Sequence, residues 1–246
     1  MVSIFRYSEI SEANASILNP LSESKLLQLG DICRLSSGMT QLDLACGKGE
    51  MLCRFAHRHG LTGTGIDIYP PFIEAARLRA AELGVSDSVA FQVADAASDS
   101  SGATYDLVSC IGATWIGGGL SGTLEMMTQR LSPGGSILVG EVFWAAEPDP
   151  DLRREQEALQ TFSDLTGTVD RIEAAGLELV EMVLANQDDW DRYQSSQWLA
   201  AHEWARANPD DPDLEEIQRM TAEFRRSYLS DLRASMGWGV FVLQEA

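Results

Sequence analysis

The stretch Gln41-Leu42-Asp43-Leu44-Ala45-Cys46-Gly47-Lys48-Gly49-Glu50 joins an apolar run to a helical pattern through two closely spaced glycines. Glycines here let the backbone turn sharply and approach a ligand with no Cβ in the way. The helix that follows offers unpaired N–H groups at its start. Twenty residues after Gly47, Asp67 closes the next apolar run in Gly65-Ile66-Asp67-Ile68, and Asp95 follows a third in Phe91-Gln92-Val93-Ala94-Asp95-Ala96. A carboxylate at the first position is placed to accept both ribose hydroxyls of an adenosine lying across the loop. One at the second could accept the adenine amino group. Either aspartate alone would serve equally as a cap or turn residue. Three such features at successive run ends, in this order, point to a nucleoside site. A dinucleotide loop favours a small residue where Leu52 stands, Glu50 would meet a pyrophosphate with like charge, and no G-x-x-x-x-G-K-[ST] pattern offers a triphosphate cradle.

The elements that must hold these residues are legible as short, nearly continuous apolar runs at 41–45, 63–68, 88–93, 106–111 and 136–142. Such runs suit parallel strands covered on both faces. Helical patterns at 50–58, 71–83 and 120–131 separate them. The first ends in His57, His59 and Gly60, cations followed by a C-cap glycine, and the second carries proline in its first turn and stops at Gly84. This alternation predicts an α/β doubly wound sheet with right-handed crossovers. Two proline- and aspartate-rich breaks, 147–151 and 208–213, should each end one element and start a helix. A helix is expected over 162–175, a strand over 177–185, Trp-bearing helices over 190–207 and 212–235, and a closing strand over 238–243. The chain then reads as one domain, 1–246, with an N-terminal helical segment (1–35) and a helical cap (186–236) inserted before the last strand.

The glycine loop and its two acids carry a resemblance. Leu42 to Glu50, Asp67 and the pair Asp95-Ala96 resemble the successive cofactor motifs of the class I S-adenosylmethionine-dependent methyltransferases, over roughly residues 38–145. The phrase from Asp43 to Glu50 is similar to a bacterial small-molecule branch of that family. The resemblance implies a Rossmann-like, seven-stranded, mostly parallel sheet whose last strand is antiparallel, with S-adenosyl-L-methionine as cofactor and S-adenosyl-L-homocysteine as product. It assigns Asp43 to the acid that holds the loop and the methionine ammonium through water. Ala45, Cys46, Gly47 and Gly49 match the loop against the methionine moiety. Asp67 matches the ribose acid and Ile68 the residue flanking adenine, while Asp95 and Ala96 match the adenine pair. Cys110 and Ile111, ending the fourth run, match positions beside the methionine tail and the transferring methyl. Lys48 between the glycines is unusual for the family.

Methyl transfer from a sulfonium is an in-line displacement, so the protein must chiefly align nucleophile, methyl and sulfur and exclude water. Oxygen and nitrogen nucleophiles can also need a base. Acceptor contacts are expected from the ends of the fourth and fifth runs and from the cap. Glu141 and Trp144 stand where the fifth run ends. Glu141 would be a base or a grip for a substrate amine, or else a helix cap or ion-pair partner. Trp115 sits in a glycine-rich stretch, 111–119, that could close over the methyl group or merely connect elements. Trp190, Tyr193 and Trp198 follow helical spacing, fitting either a core stripe or a pocket wall, and His202 beside them is a second candidate base or a surface histidine. No H-E-x-x-H motif appears, and no metal is expected. Two other readings stay open: an S-adenosylmethionine-binding protein without methyl transfer (a sensor or cyclase), and an NAD-type oxidoreductase on the same fold.

Charge bounds the partners. The 246 residues carry a formal charge of −19, with a net of −5 over 1–140 and −14 over 141–246, and only two lysines, Lys25 and Lys48. Such a chain repels nucleic acid and anionic lipid, which leaves a small-molecule substrate as the expected partner. Four cysteines form no C-x-x-C pair, no run is long enough to cross a bilayer, and the first residues lack a secretory pattern. A cytoplasmic protein is the expectation.

Overall fold

In the computed structural model, which describes residues 2–98, 102–151, 153, 154 and 162–246, the apolar runs become strands and the gaps between them helices. The strands are β1 (Thr40–Leu44), β2 (Thr62–Asp67), β3 (Val89–Val93), β4 (Tyr105–Ile111), β5 (Leu131–Trp144), β6 (Leu177–Leu184) and β7 (Met236–Glu245). They form one sheet in the order β3-β2-β1-β4-β5-β7-β6. The first five are parallel, and β7 runs antiparallel to both β5 and β6. The expected seven-stranded, mostly parallel architecture is present. Strand order reverses between β1 and β4, so a crevice opens there at the carboxyl ends of the strands.

Helices cover both faces. Helices α2 (Glu23–Ile32), α3 (Glu50–His59) and α4 (Pro70–Glu82) bury Leu29, Leu52, Phe55 and Ile73 on one side. Helices α5 (Leu120–Thr128) and α6 (Leu165–Ala174) bury Leu124, Met127 and Ile172 on the other. Burying one such side chain is worth about 1.5–3 kcal/mol. A third cluster joins α1 (Ile4–Ser11) to α7 (Gln187–Ala207) and α8 (Leu214–Ser227) through Tyr7, Ile10, Ala201 and Ile217. The cap is therefore assembled from both the N-terminal segment and the late insertion. Among the described residues, no helix is long and apolar enough to cross a membrane.

Several boundaries differ from expectation, each for a local reason. β5 begins at Leu131, which pairs with Tyr105 ahead of the Pro133-Gly134-Gly135 stretch. The helix expected from 162 starts at Leu165, because the Asp164 carboxylate accepts the Gly167 N–H at 2.7 Å and caps it there. α7 starts three residues earlier than expected, at Gln187, where Asn186 and Asp189 form a capping box. The helix expected over 212–235 begins at Leu214 and stays helical to Ser235, but Tyr228–Leu232 widens into a π-helical segment.

Phe241 is fully buried on β7, between β5 and β6. Phe241→Ala should lower unfolding free energy by about 3–5 kcal/mol in urea titration. A loss below about 1 kcal/mol would mean that this strand is not part of the core.

Candidate active site

At the reversal of strand order lies a cleft of about 870 Å³. That is in the upper part of the range for small-molecule sites, roughly 300–1,000 Å³, and leaves room for a nucleoside and a second small molecule. Its floor is the loop between β1 and α3. Ala45 adopts φ +52°, a left-handed conformation that costs a non-glycine residue about 1–2 kcal/mol. Gly47 and Gly49 follow at φ +54° and +68°. A Cβ on Gly49 would stand 2.6 Å from Phe91 Cε1, so this position admits no side chain. The loop is held from the next strand: Asp67 Oδ2 accepts the Gly47 N–H at 2.9 Å, and Oδ1 accepts the Tyr69 N–H at 2.8 Å.

Three carboxylates follow one another along the strand ends. Asp43 on β1 is buried and accepts the Ser109 hydroxyl of β4 at 2.7 Å. Burial pushes its carboxyl up to about 7; the Ser109 bond opposes the rise and the nearby Asp67 adds to it. Asp67 is raised chiefly by burial, against the pull of its backbone N–H bonds. Asp95 is exposed at the cleft edge, where it accepts the Ala97 N–H and the Ser98 hydroxyl. It is a turn-forming residue as well as a cleft residue. Ile68, exposed, and Ala96, buried, line the same stretch. The Cys46 thiol is raised by burial and stays neutral. Ile111 reaches the cleft; Cys110 lies fully buried in the sheet and does not line it. Glu50 is also buried at the head of α3. Burial pushes it up, but bonds to Arg79 and Arg54 outweigh this and hold it below its ordinary range.

The roof joins α7, whose Tyr193 was expected beside the site, to an N-terminal segment that sequence reasoning did not connect to it. Lys48 Nζ donates to the carbonyl oxygens of Glu12 at 2.6 Å, Ala15 at 2.9 Å and Ala13 at 3.5 Å. It thereby caps the end of α1 and ties the N-terminal segment to the glycine loop. Asn19 Nδ2 donates to the Ile111 carbonyl at 3.2 Å, and its Oδ1 would stand 2.2 Å from a Cβ on Gly112. Tyr193 on α7 donates to Glu12 Oε1 at 2.8 Å and to the Leu18 carbonyl at 3.0 Å. The unusual Lys48 was the signal for this roof; its partners are backbone oxygens and leave no mark in the sequence.

The opposite end of the cleft is lined by Thr114, Trp115, Glu141, Phe162, Trp190 and Trp238. Glu141 is raised by burial, against bonds from the Thr114 hydroxyl and the Val142 N–H and the more distant charge of Arg171. Trp115 is exposed, and Tyr193 and Trp190 face the cleft from α7. Three expected residues are placed elsewhere. His202 is exposed on α7, one residue past the buried Ala201 and so about 100° round the helix. Trp144 is buried outside the cleft and packs edge-on against Phe162. Trp198 packs against Tyr228 behind the cleft wall.

A family model described as a methyltransferase domain matches residues 35–204. The chain belongs to this methyltransferase family. YjhP of Escherichia coli (strain K12) is 41% identical over 245 residues, 98% of this chain and 99% of its own. A crystal structure of a SAM-dependent methyltransferase from Thiobacillus denitrificans, in complex with S-adenosyl-L-homocysteine, has a TM-score of 0.92 at 40% identity and covers 100% of both chains. Another from Geobacter sulfurreducens, with the same ligand, has a TM-score of 0.92 at 42% identity and covers 100% of both. The expectation of an S-adenosylmethionine-dependent methyltransferase stands.

The methyltransferase cleft suits a cationic cofactor. The sulfonium and ammonium of S-adenosylmethionine are positive, Asp43 and Asp67 are buried acids, and the bare loop at Gly49 leaves its backbone accessible. Asp43 is raised on folding, so its contribution to stability is complete below about pH 3.9 and is lost as pH rises through about 7. A bound ammonium requires the carboxylate. Affinity for S-adenosyl-L-homocysteine should therefore climb, by up to about tenfold per pH unit, as pH rises towards 7, and level off above it. Calorimetry should show that Asp43→Asn flattens this profile. Lys48→Met should reduce hydrogen-exchange protection of α1 amides by about 1.5–3 kcal/mol, the worth of charged hydrogen bonds, while β4 and β5 keep theirs. Unchanged protection in α1 would rule out the latch.

Proposed function

We propose that this methyltransferase works in the cytoplasm on a small neutral or cationic molecule, not on nucleic acid, with adenosine at one end of the cleft and the acceptor at the other. The observation that carries the reading is a single cleft onto which a glycine loop and the carboxylates Asp43, Asp67 and Asp95 open from the ends of β1, β2 and β3. Asp67 accepts the ribose hydroxyls, Ile68 and Ala96 flank the adenine, and Asp95 meets its amino group. Asp43 faces the methionine ammonium across Ala45, Cys46, Gly47 and Gly49, with Ile111 beside the methyl group and Cys110 supporting it from beneath. The net charge of −19 argues against phosphate backbones as partners.

Bound S-adenosylmethionine supplies a methyl group on an activated sulfonium. The chain does the rest by positioning. The roof of residues 2–21 and α7 excludes water, which strengthens every electrostatic contact inside. Trp115, Trp190 and Tyr193 hold the acceptor at the far end. Glu141 takes its proton or grips it, because burial has raised its affinity for protons above that of an ordinary carboxyl.

Asp67→Ala removes charge-assisted bonds to the ribose and should weaken S-adenosyl-L-homocysteine binding by about 1.5–3 kcal/mol per lost bond in calorimetry. Wild-type affinity in this variant would refute the ribose assignment.

A further inference from the structure

The charged lining of the cleft is lopsided. Among the described residues it presents six carboxylates, Glu12, Asp43, Glu50, Asp67, Asp95 and Glu141, and one ammonium, Lys48. Lys48 is committed to the roof carbonyls, so a phosphate or carboxylate on an acceptor would meet repulsion with little to answer it. Most of the acids have other work. Glu50 is paired with Arg54 and Arg79, and Glu12 holds the Tyr193 hydroxyl close to Lys48. Asp43, Asp67 and Asp95 lie along the nucleoside half. Glu141 remains, 7% exposed, with a hydroxyl and an N–H as its bonded partners and Arg171 acting through space from α6.

A carboxylate buried this deeply is costly unless a cation accompanies it. The same cleft is lined by the rings of Trp115, Phe162 and Trp190, and aromatic faces attract cations. We propose that the acceptor is a small organic amine, drawn in as its ammonium and held by Glu141 in this acid- and aromatic-lined cleft. The proposal rests on the methyltransferase reading above and names its substrate class.

The chemistry balances. The ammonium passes one proton to the Glu141 carboxylate and exposes its lone pair. The nitrogen then bonds to the methyl carbon as the methyl–sulfur bond breaks, and that bond's electron pair stays on sulfur. The product leaves as an N-methylammonium, and Glu141 returns its proton to solvent, one proton being released per turnover.

Calorimetry on the full chain tests this without turnover. The protein is saturated with S-adenosyl-L-homocysteine, then titrated with matched probes: phenethylamine against 2-phenylethanol, and butylamine against butanol. In at least one pair the amine should bind about tenfold more tightly than its alcohol. Glu141→Gln should erase that preference while still binding S-adenosyl-L-homocysteine. Trp115→Leu, at an exposed ring, is a second variant and should lower amine affinity several-fold with cofactor binding unchanged. Amines and alcohols binding alike in both pairs, or a preference that survives Glu141→Gln, would overturn the amine assignment and leave the methyltransferase reading intact. Failure of wild-type protein to bind S-adenosyl-L-homocysteine would overturn both.

Discussion

The carboxylate of Asp67 takes the N–H of Gly47 from the neighbouring strand's loop and the N–H of Tyr69 from its own turn. This one group fixes where the chain bends after β1, and much of the site follows from that bend. β1 and β2 are parallel neighbours, with Leu44 beside Ile66, so the two strand ends lie side by side and the bond is short. The Cys46 N–H reaches the Ile66 carbonyl at 3.0 Å, adding a second tie along the same edge. With the bend held, Ala45 can stay in its strained conformation, α3 starts at Glu50, and Lys48 is left pointing upward toward α1. Lone pairs on Asp67 are spent on these two N–H groups and on that of Ile68. Others remain to face the cleft.

From the bend, the structure builds a roof out of parts remote in sequence. The chain has two lysines, and both join distant elements. Lys48 ties the loop to the end of α1. Lys25 on α2 donates to the Leu184 carbonyl at 2.8 Å and pairs with Asp189, holding the end of β6 and the start of α7. Because the roof is tied at its edges, the acids beneath it are desolvated. Burial raises Glu12, Asp43, Asp67 and Glu141 together. These shifts have one cause, exclusion of water from an acid-lined cleft, and an excluded cleft is what an in-line displacement requires.

How much of this could be read from sequence follows from how each contact is made. The five parallel strands were legible because burial on both faces leaves nearly unbroken apolar runs. The loop was legible because its residues are contiguous and two are glycines. The N-terminal part of the roof was not, since Lys48 and Asn19 bond backbone oxygens, and any residue supplies those. Aromatic spacing on α7 was ambiguous for a different reason. It marked one face correctly, but Trp190 and Tyr193 meet the cleft while Trp198, a turn further on, meets Tyr228. His202 lay one residue from that stripe, and on a helix one residue is enough to reach solvent. Phe162 was counted as helical, yet the Asp164 cap starts the helix after it, and it lines the cleft instead.

The acidity of the cleft has a consequence for the acceptor. Carboxylates stabilise a cationic methyl donor, and that preference for the ground state would slow the reaction if the positive charge simply vanished as sulfur became a thioether. The charge must therefore reappear where acids can still serve it. A methylated nitrogen, in the amine proposal, does this: it carries the charge as the sulfur end loses its own, and Glu141 can pair with it once its proton has left. An alcohol acceptor would pass the same charge to Glu141 as a proton and leave an uncharged ether at the far end. With six carboxylates lining the cleft among the described residues, the proposed amine keeps a positive charge within reach of that field after transfer as well as before it.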